Sequence, residues 1–306
     1  MGERKSRAEL QQHVTDTIIT ALEEGIAKGS WQLPWNALNA PKNVTTGKSY
    51  RGLNILTLNI AQAHRGYKQN IWGSFKQWKE KGGNVKKGQA GTLITFYKPM
   101  AIKDKNPTTG EEVVRKIPFL SYSYVFNYDQ VEGVELPEQE AHCFTDSAKV
   151  DSFVLKTGAV ISYGEDRASY SSSFDRIRMP SKEQFIATKH GTPEENFYGT
   201  LLHELVHWTG HETRMGRKLG NIFGSEEYAY EELIAELGAS FLCAEFEIEY
   251  ETRESHAQYI HSWLQALKND KTFIFKASSQ AGKAVEFLHG ITKTEEDNSE
   301  EEREAA

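Results

Sequence analysis

The chain has 306 residues, 38 % of them hydrophobic and 11 % aromatic, which is enough to bury sizeable cores and excludes a wholly disordered chain. No run approaches the ~18 apolar residues of a membrane span, and the polar start Met1-Gly2-Glu3-Arg4-Lys5 leads into a helix rather than a signal segment, so a cytoplasmic protein with no membrane partner is expected. The net charge of −7 conceals a partition: residues 1–130 hold 19 Lys+Arg against 10 Asp+Glu and the rest 17 against 33, which suits a basic domain for a polyanion and an acidic one with other partners.

Cys143 and Cys243 lie far apart without a CxxC or Cys/His spacing, so buried free thiols are expected rather than a disulfide or a thiolate metal site. Residues 7–29 carry Leu10, Val14, Ile18, Ile19, Leu22 and Ile26 at helical spacing and stop at Lys28-Gly29. Irregular backbone follows through Trp31, Pro34, Trp35, Pro41 and Gly47. A helix is predicted from Leu53 to about His64, and a shorter one over Ser74–Lys81 that Gly82-Gly83 ends. Thr92–Tyr97 reads as a strand, the run from Lys103 to Gly110 as a loop tip, and Val113–Lys116 with Phe119–Tyr128 as a hairpin whose Leu120, Tyr122, Tyr124 and Phe126 alternate.

The Pro/Glu/Gln-rich stretch from Gly133 to Ala141 has the composition of a linker, and the domain boundary is placed there. Beyond it the pattern predicts a helix over Asp146–Thr157, strands at Val160–Tyr163 and Ala168–Met179, and a turn into Lys182–Thr188. Helices follow around His203, from Glu226 to about Glu247, around His256–Leu267 and over Ala277–Leu288. Residues 291–306 are expected to form an acidic disordered tail.

The chemistry concentrates at His203-Glu204-Leu205-Val206-His207. Residues four apart share a helix face, so His203 and His207 can ligate one cation with Glu204 beside them as general base. Catalytic zinc usually takes a third protein ligand. A third histidine three residues past Gly210 is absent, since that position is Thr213, and His211 could join only if the helix ran through Gly210. The helix containing Glu231, Glu232 and Glu236 is the better source: Glu232 as ligand, with Glu231 as competitor, and Glu236 accepting an imidazole N–H from behind. Gly238 and Ala239 are small enough for that helix to pack closely on the first. In a catalytic site Glu204 would take the proton of a metal-activated water, and Tyr228 or, by preference, Tyr230 would steady the oxyanion. The strand Ser171–Met179, with Asp175 and Arg176, would form the wall along which an extended peptide pairs. Zinc is the expected ion, with another divalent metal such as manganese possible.

The basic half interleaves cations and aromatics: Arg51, Tyr67, Lys68, Trp72, Lys76, Trp78, Lys79, Lys81, Lys86 and Lys87. Single-stranded nucleic acid is held in this way, with bases on rings and phosphates on Lys and Arg.

The chain resembles the ArdC antirestriction proteins of conjugative plasmids. The resemblance rests on Pro34-Trp35, on Tyr50-Arg51-Gly52-Leu53-Asn54, on Trp72 through Lys86-Lys87-Gly88, on the run from His203 to His211, and on Tyr230 to Glu236. It implies an α+β protein of two domains: an N-terminal α+β single-stranded-DNA-binding domain, placed at 1–135, and a C-terminal zincin-like metallopeptidase domain, placed at 142–290. The implied role is protection of incoming DNA of a mobile element from host restriction. The alternative is an active zinc metalloprotease that cleaves a DNA-associated host protein. A similar N-terminal domain accompanies some plasmid primases, but no primase motif is present.

Overall fold

A computed structural model describes residues 5–27, 40–105, 112–136, 144, 146–188, 191–220, 225–249 and 257–292, with backbone alone at 98–105, 112–118, 257 and 258. Residues 31–36, Cys143, most of the expected linker and nearly all of the acidic tail lie outside that set.

The amphipathic spacing of the first segment forms α1 (Arg7–Ala27), which buries Leu10, Val14, Ile18 and Leu22 on one stripe. Two-residue strand β1 (Lys42–Asn43) precedes α2 (Leu53–Arg65), which ends at Gly66 in the left-handed conformation that only glycine adopts freely. Strand β2 (Ile71–Ser74) leads straight into α3 (Phe75–Glu80), and Ser74 and Gln77 form a reciprocal capping box between them.

Strands β4 (Thr92–Lys105) and β5 (Glu112–Asn127) pair antiparallel along 14 residues of register. The expected hairpin between Val113–Lys116 and Phe119–Tyr128 is therefore one strand, not two. Pro118 does not break it because it faces Pro99 in the register. Thr95 turns its N–H and C=O to the Asn54 side chain at 2.9 and 2.8 Å, so Thr95 belongs to a pair that exchanges no hydrogen bonds with β5. Alternation then gives Pro99 and Pro118 the same kind of pair, where neither strand requires an N–H. The sheet order is β1-β2-β5-β4, with β2 antiparallel to β5 and β1 parallel to β2. Two short strands, β3 (Asn84–Val85) and β6 (Val131–Glu132), pair beside it.

Downstream, Asp146 caps α4 (Ser147–Lys156). Three strands follow in the order β7-β9-β8: β7 (Val160–Tyr163), β8 (Ser169–Ser171) and β9 (Arg176–Met179). The run Ala168–Met179, expected as one strand, is a hairpin. Its turn at Asp175 adopts a φ of 45°, which Asp tolerates better than most residues, so no glycine marks it. The remaining helices are α5 (Pro193–Thr209), α6 (Glu226–Glu245), α7 (Ala257–Asn269) and α8 (Phe273–Thr292).

One core runs through both halves. Leu10, Val14, Ile18 and Leu22 of α1 share it with Leu93 and Leu120 of the first sheet and with Leu202, Leu237 and Trp263 of the helical half. Thr15 donates to the Lys271 carbonyl at 2.9 Å and Lys268 pairs with Glu23 at 2.6 Å, so α1 clasps the C-terminal helices. No helix among the described residues is long and apolar enough to cross a membrane.

Candidate functional site

Helix α5 starts where the sequence supplies a start: Thr192 accepts from the Glu195 N–H, Glu195 reaches back to Thr192, and Pro193 takes the first turn. The helical period then sets His203 and His207 on one face, toward α6. Ser225 caps α6, which lies directly against α5 because Gly238 carries no side chain. A Cβ there would stand 2.8 Å from Val206 Cγ2.

Between the helices three donors converge. His203 Nε2 and His207 Nε2 are 3.1 Å apart, and the Glu232 carboxylate oxygens lie 3.6 Å from the first and 3.5 Å from the second. Donors around a tetrahedral ion with bonds of about 2.0–2.1 Å stand about 3.3–3.4 Å apart, so these three trace one face of such a shell. Two imidazole lone pairs 3.1 Å apart repel unless a positive charge lies between them. The other nitrogen of each ring is already engaged: His203 Nδ1 is 3.2 Å from Glu236 and His207 Nδ1 is 3.2 Å from Glu231. These contacts place the protons on Nδ1 and leave both Nε2 atoms for a metal.

The electrostatics agree. Burial alone would push His203 down, but the Glu236 and Glu232 carboxylates outweigh it and raise the ring to about 9. His207 is likewise raised against the pull of burial by Glu231 and Glu232. Burial would lift Glu232, and the two histidines instead hold it well below the usual carboxylate range.

His203, His207 and Glu232 thus meet, and they are the one group of potential metal ligands that closes among the described residues. Glu236 stands behind His203, with Oε1 3.2 Å from its Nδ1. The competitor Glu231 is engaged elsewhere: Arg217 holds it bidentately at 2.9 and 2.8 Å. Arg217 was not anticipated. Its guanidinium also donates to the Val206 carbonyl at 2.8 Å and to Thr209 Oγ1 at 2.8 Å, which ties the end of α5 to Glu231 and through it to His207. It comes from the loop after α5, where no periodicity could mark it. Glu204 is buried beside His203, and no hydrogen bond or ion pair among the described residues occupies its carboxylate.

Two expectations at this site are corrected. Tyr230 packs its ring on Phe273, at 5.2 Å between centroids, and burial, then the Glu231 and Asp270 carboxylates, raise its hydroxyl, while it is not among the groups that act on His203, His207 or Glu232. Tyr228, one turn before Glu232, is the tyrosine at the site: burial raises its hydroxyl, and Glu232 and Tyr259 raise it further. The strand expected as a peptide wall also changes. Strand β9 is paired on both sides, by β7 and β8, so among the described residues the edges of this sheet belong to those two strands. Asp175 instead takes both arms of Arg214, which stacks 3.9 Å over Trp208 and donates to the Trp208 carbonyl, pinning the hairpin to the end of α5. His211 bonds Thr213 at 2.8 Å and stays outside the donor group.

In the basic half, Arg51, Lys68, Lys76, Lys79, Lys81, Lys86 and Lys87 are exposed. Lys86 donates to the Asp129 carbonyl, and Lys76 pairs with Glu80 at 3.6 Å. Trp72 and Trp78 are 0 % exposed and cannot stack on a base. Trp72 faces inward from β2 and bonds Asn70, while Trp78 donates to the Phe126 carbonyl at 2.9 Å. Tyr67 is half-buried, packed edge-on to Trp72 with its hydroxyl taking a bond from Arg65. Cys243 is a buried free thiol, as expected.

Comparison with known proteins follows the same division. Residues 8–126 match the family described as the N-terminal domain of anti-restriction factor ArdC, and residues 148–280 the zincin-like metallopeptidase family. The metal-free crystal structure of the antirestriction ArdC protein from plasmid R388 superposes with a TM-score of 0.70 at 38 % identity, covering 93 % of this chain and 98 % of that one. The Mn(II)-bound structure of that protein gives 0.69 at 35 % identity, covering 94 % and 99 %. The uncharacterized protein y4eC of Sinorhizobium fredii is 34 % identical over 92 % of each chain. DNA primase TraC of Escherichia coli is 34 % identical over 90 % of this chain, which spans 27 % of the primase. The chain, with its basic α+β half joined to a zincin-like domain that gathers three potential metal ligands, belongs to the ArdC antirestriction family.

Proposed function

We propose that this chain protects incoming DNA of a mobile element from host restriction by binding it as a single strand through residues 1–135, while the domain at 142–290 carries a divalent metal on His203, His207 and Glu232. The observation that carries the DNA reading is the charge partition. The excess of cations lies in the first 130 residues, and the lysines named above stand exposed on that half. The facing Nε2 atoms support the metal. Two imidazoles and a carboxylate suit zinc, the ion we propose, and manganese is the alternative because the R388 protein has a Mn(II)-bound structure.

A metal on these ligands would supply Lewis acidity and lower the pKa of a bound water toward neutrality. Glu204 is placed to take a proton there, Glu236 and Glu231 hold the imidazoles in the ligating tautomer, and Tyr228 is the hydroxyl available to a developing oxyanion. This set is competent for peptide hydrolysis, but protection by binding is the reading we favour. Elemental analysis of the purified chain should find one divalent metal per chain, lost in His203→Ala. Glu204→Ala should keep its metal, its DNA affinity and its protection of a transferred plasmid against a restricting host. Loss of protection with metal and DNA binding intact would assign the function to hydrolysis of a host protein.

A further inference from the structure

Burial of Trp72 and Trp78 removes both tryptophans from the basic half's possible stacking surfaces, yet other rings there are uncovered. Phe75 is 53 % exposed and Tyr124 43 %. They belong to one stripe. Tyr122, Tyr124 and Phe126 alternate on the same face of β5, with Tyr122 and Tyr124 at 5.9 Å between ring centroids. Phe75, the first residue of α3, meets Phe126 edge-to-face at 6.5 Å. The base beneath is rigid: β5 is paired on both sides, by β2 and β4, and Trp78 fastens α3 to the Phe126 carbonyl.

The stripe is left open by a missing side chain. Gly91, the residue before β4, lies against the stripe's side chains, and a Cβ there would lie 3.0 Å from Tyr124 Cβ and 3.1 Å from Phe126 Cζ. Any other residue would crowd Tyr124 and the edge of the Phe126 ring. Cations border it: the Lys79 ammonium sits 6.0 Å from the Phe75 ring centre, and Arg65 donates to the Ala90 carbonyl beside Gly91, in the loop that carries Lys86 and Lys87. Exposed rings on a fixed strand cost free energy in water, and rings flanked by Lys and Arg are the surface that unpaired bases and their phosphates fit.

We infer that Phe75, Phe126 and Tyr124 form the base-stacking platform of this chain, with Lys79, Arg65 and Lys87 on the phosphates of the same single strand. The inference rests on the proposed single-stranded-DNA binding and names where it occurs. Duplex DNA, with its bases stacked on each other, would not present the faces this platform takes.

The test uses the full chain and a fluorescein-labelled oligothymidylate, read by anisotropy. Phe75→Ala and Tyr124→Ala should each weaken binding about 5- to 100-fold with little change in its salt dependence, since rings and not charges are removed. Tyr163→Ala, at a ring 56 % exposed on β7 in the other half, should bind as the unaltered chain does. Phe75→Leu and Tyr124→Leu keep apolar bulk without a π face, and should weaken binding while melting with the unaltered chain. Photo-cross-linking of a 5-iododeoxyuridine oligonucleotide to the unaltered chain, independent of any variant's stability, should map to Phe75, Tyr124 or Phe126. If the unaltered chain binds no single strand, the functional reading fails. If it binds but the leucine variants match it, if cross-links fall only elsewhere, or if the variants alter only self-association, the platform is wrong.

Discussion

At the scale of single residues, the site is a set of tautomer assignments. His203 and His207 can ligate only while Glu236 and Glu231 hold their Nδ1 protons, and Glu231 keeps its place because Arg217 grips both its oxygens. Arg217→Lys keeps the charge and loses the fork, so metal affinity measured by chelator competition should fall about 10- to 100-fold, with Glu231→Gln similar. An unchanged affinity in both variants would detach Arg217 from the site. The carboxylates hold His203 up at about 9, so metal and protons compete: affinity should climb as pH rises through the neutral range and fall below it. The same competition assay from pH 6 to pH 9 checks the sign. The donor cluster was legible in the sequence because a four-residue spacing on a helix fixes a shared face, and the placing of Glu232 and Glu236 followed by the same rule. Arg217 was not, because a loop residue's direction is set by what it meets. Tyr228 and Tyr230 differ by 200° around α6, and sequence alone offered no phase to choose between them.

At the scale of elements, the site depends on how closely α5 and α6 approach. Gly238→Ala drives a methyl into Val206 and should cost about 1–3 kcal/mol in denaturant unfolding. Val206→Ala in the same chain should recover part of it, and an additive double variant would show that the contact does not set the spacing. Gly238 and its small neighbour were readable as a close-packing signal. The strands were harder. Ala168–Met179 looks continuous in sequence, because Asp175 makes its turn without glycine or proline. The expected hairpin of Val113–Lys116 with Phe119–Tyr128 is one strand, because Pro118 faces Pro99 where the ladder needs no N–H, which only the register shows. Trp72 and Trp78 looked exposed because lysines flank them. Their positions on β2 and α3 turn them inward, and the uncovered rings lie instead on Phe75 and the alternating face of β5.

At the scale of the molecule, the charge partition foretold two halves, and their order along the chain matches the two families. It did not foretell that α1 would pack on the C-terminal helices and share one core with them, since an apolar stripe does not name its partner. The basic half therefore presents its lysines from a body anchored to the C-terminal helices. The measurement that bears most directly on this account is the binding of labelled single-stranded and duplex oligonucleotides to the full chain across a series of salt concentrations. The account predicts preference for the single strand and a logarithmic affinity that falls linearly with logarithmic salt, by about 0.7 for each phosphate neutralised. No binding, or an affinity indifferent to salt, would contradict it.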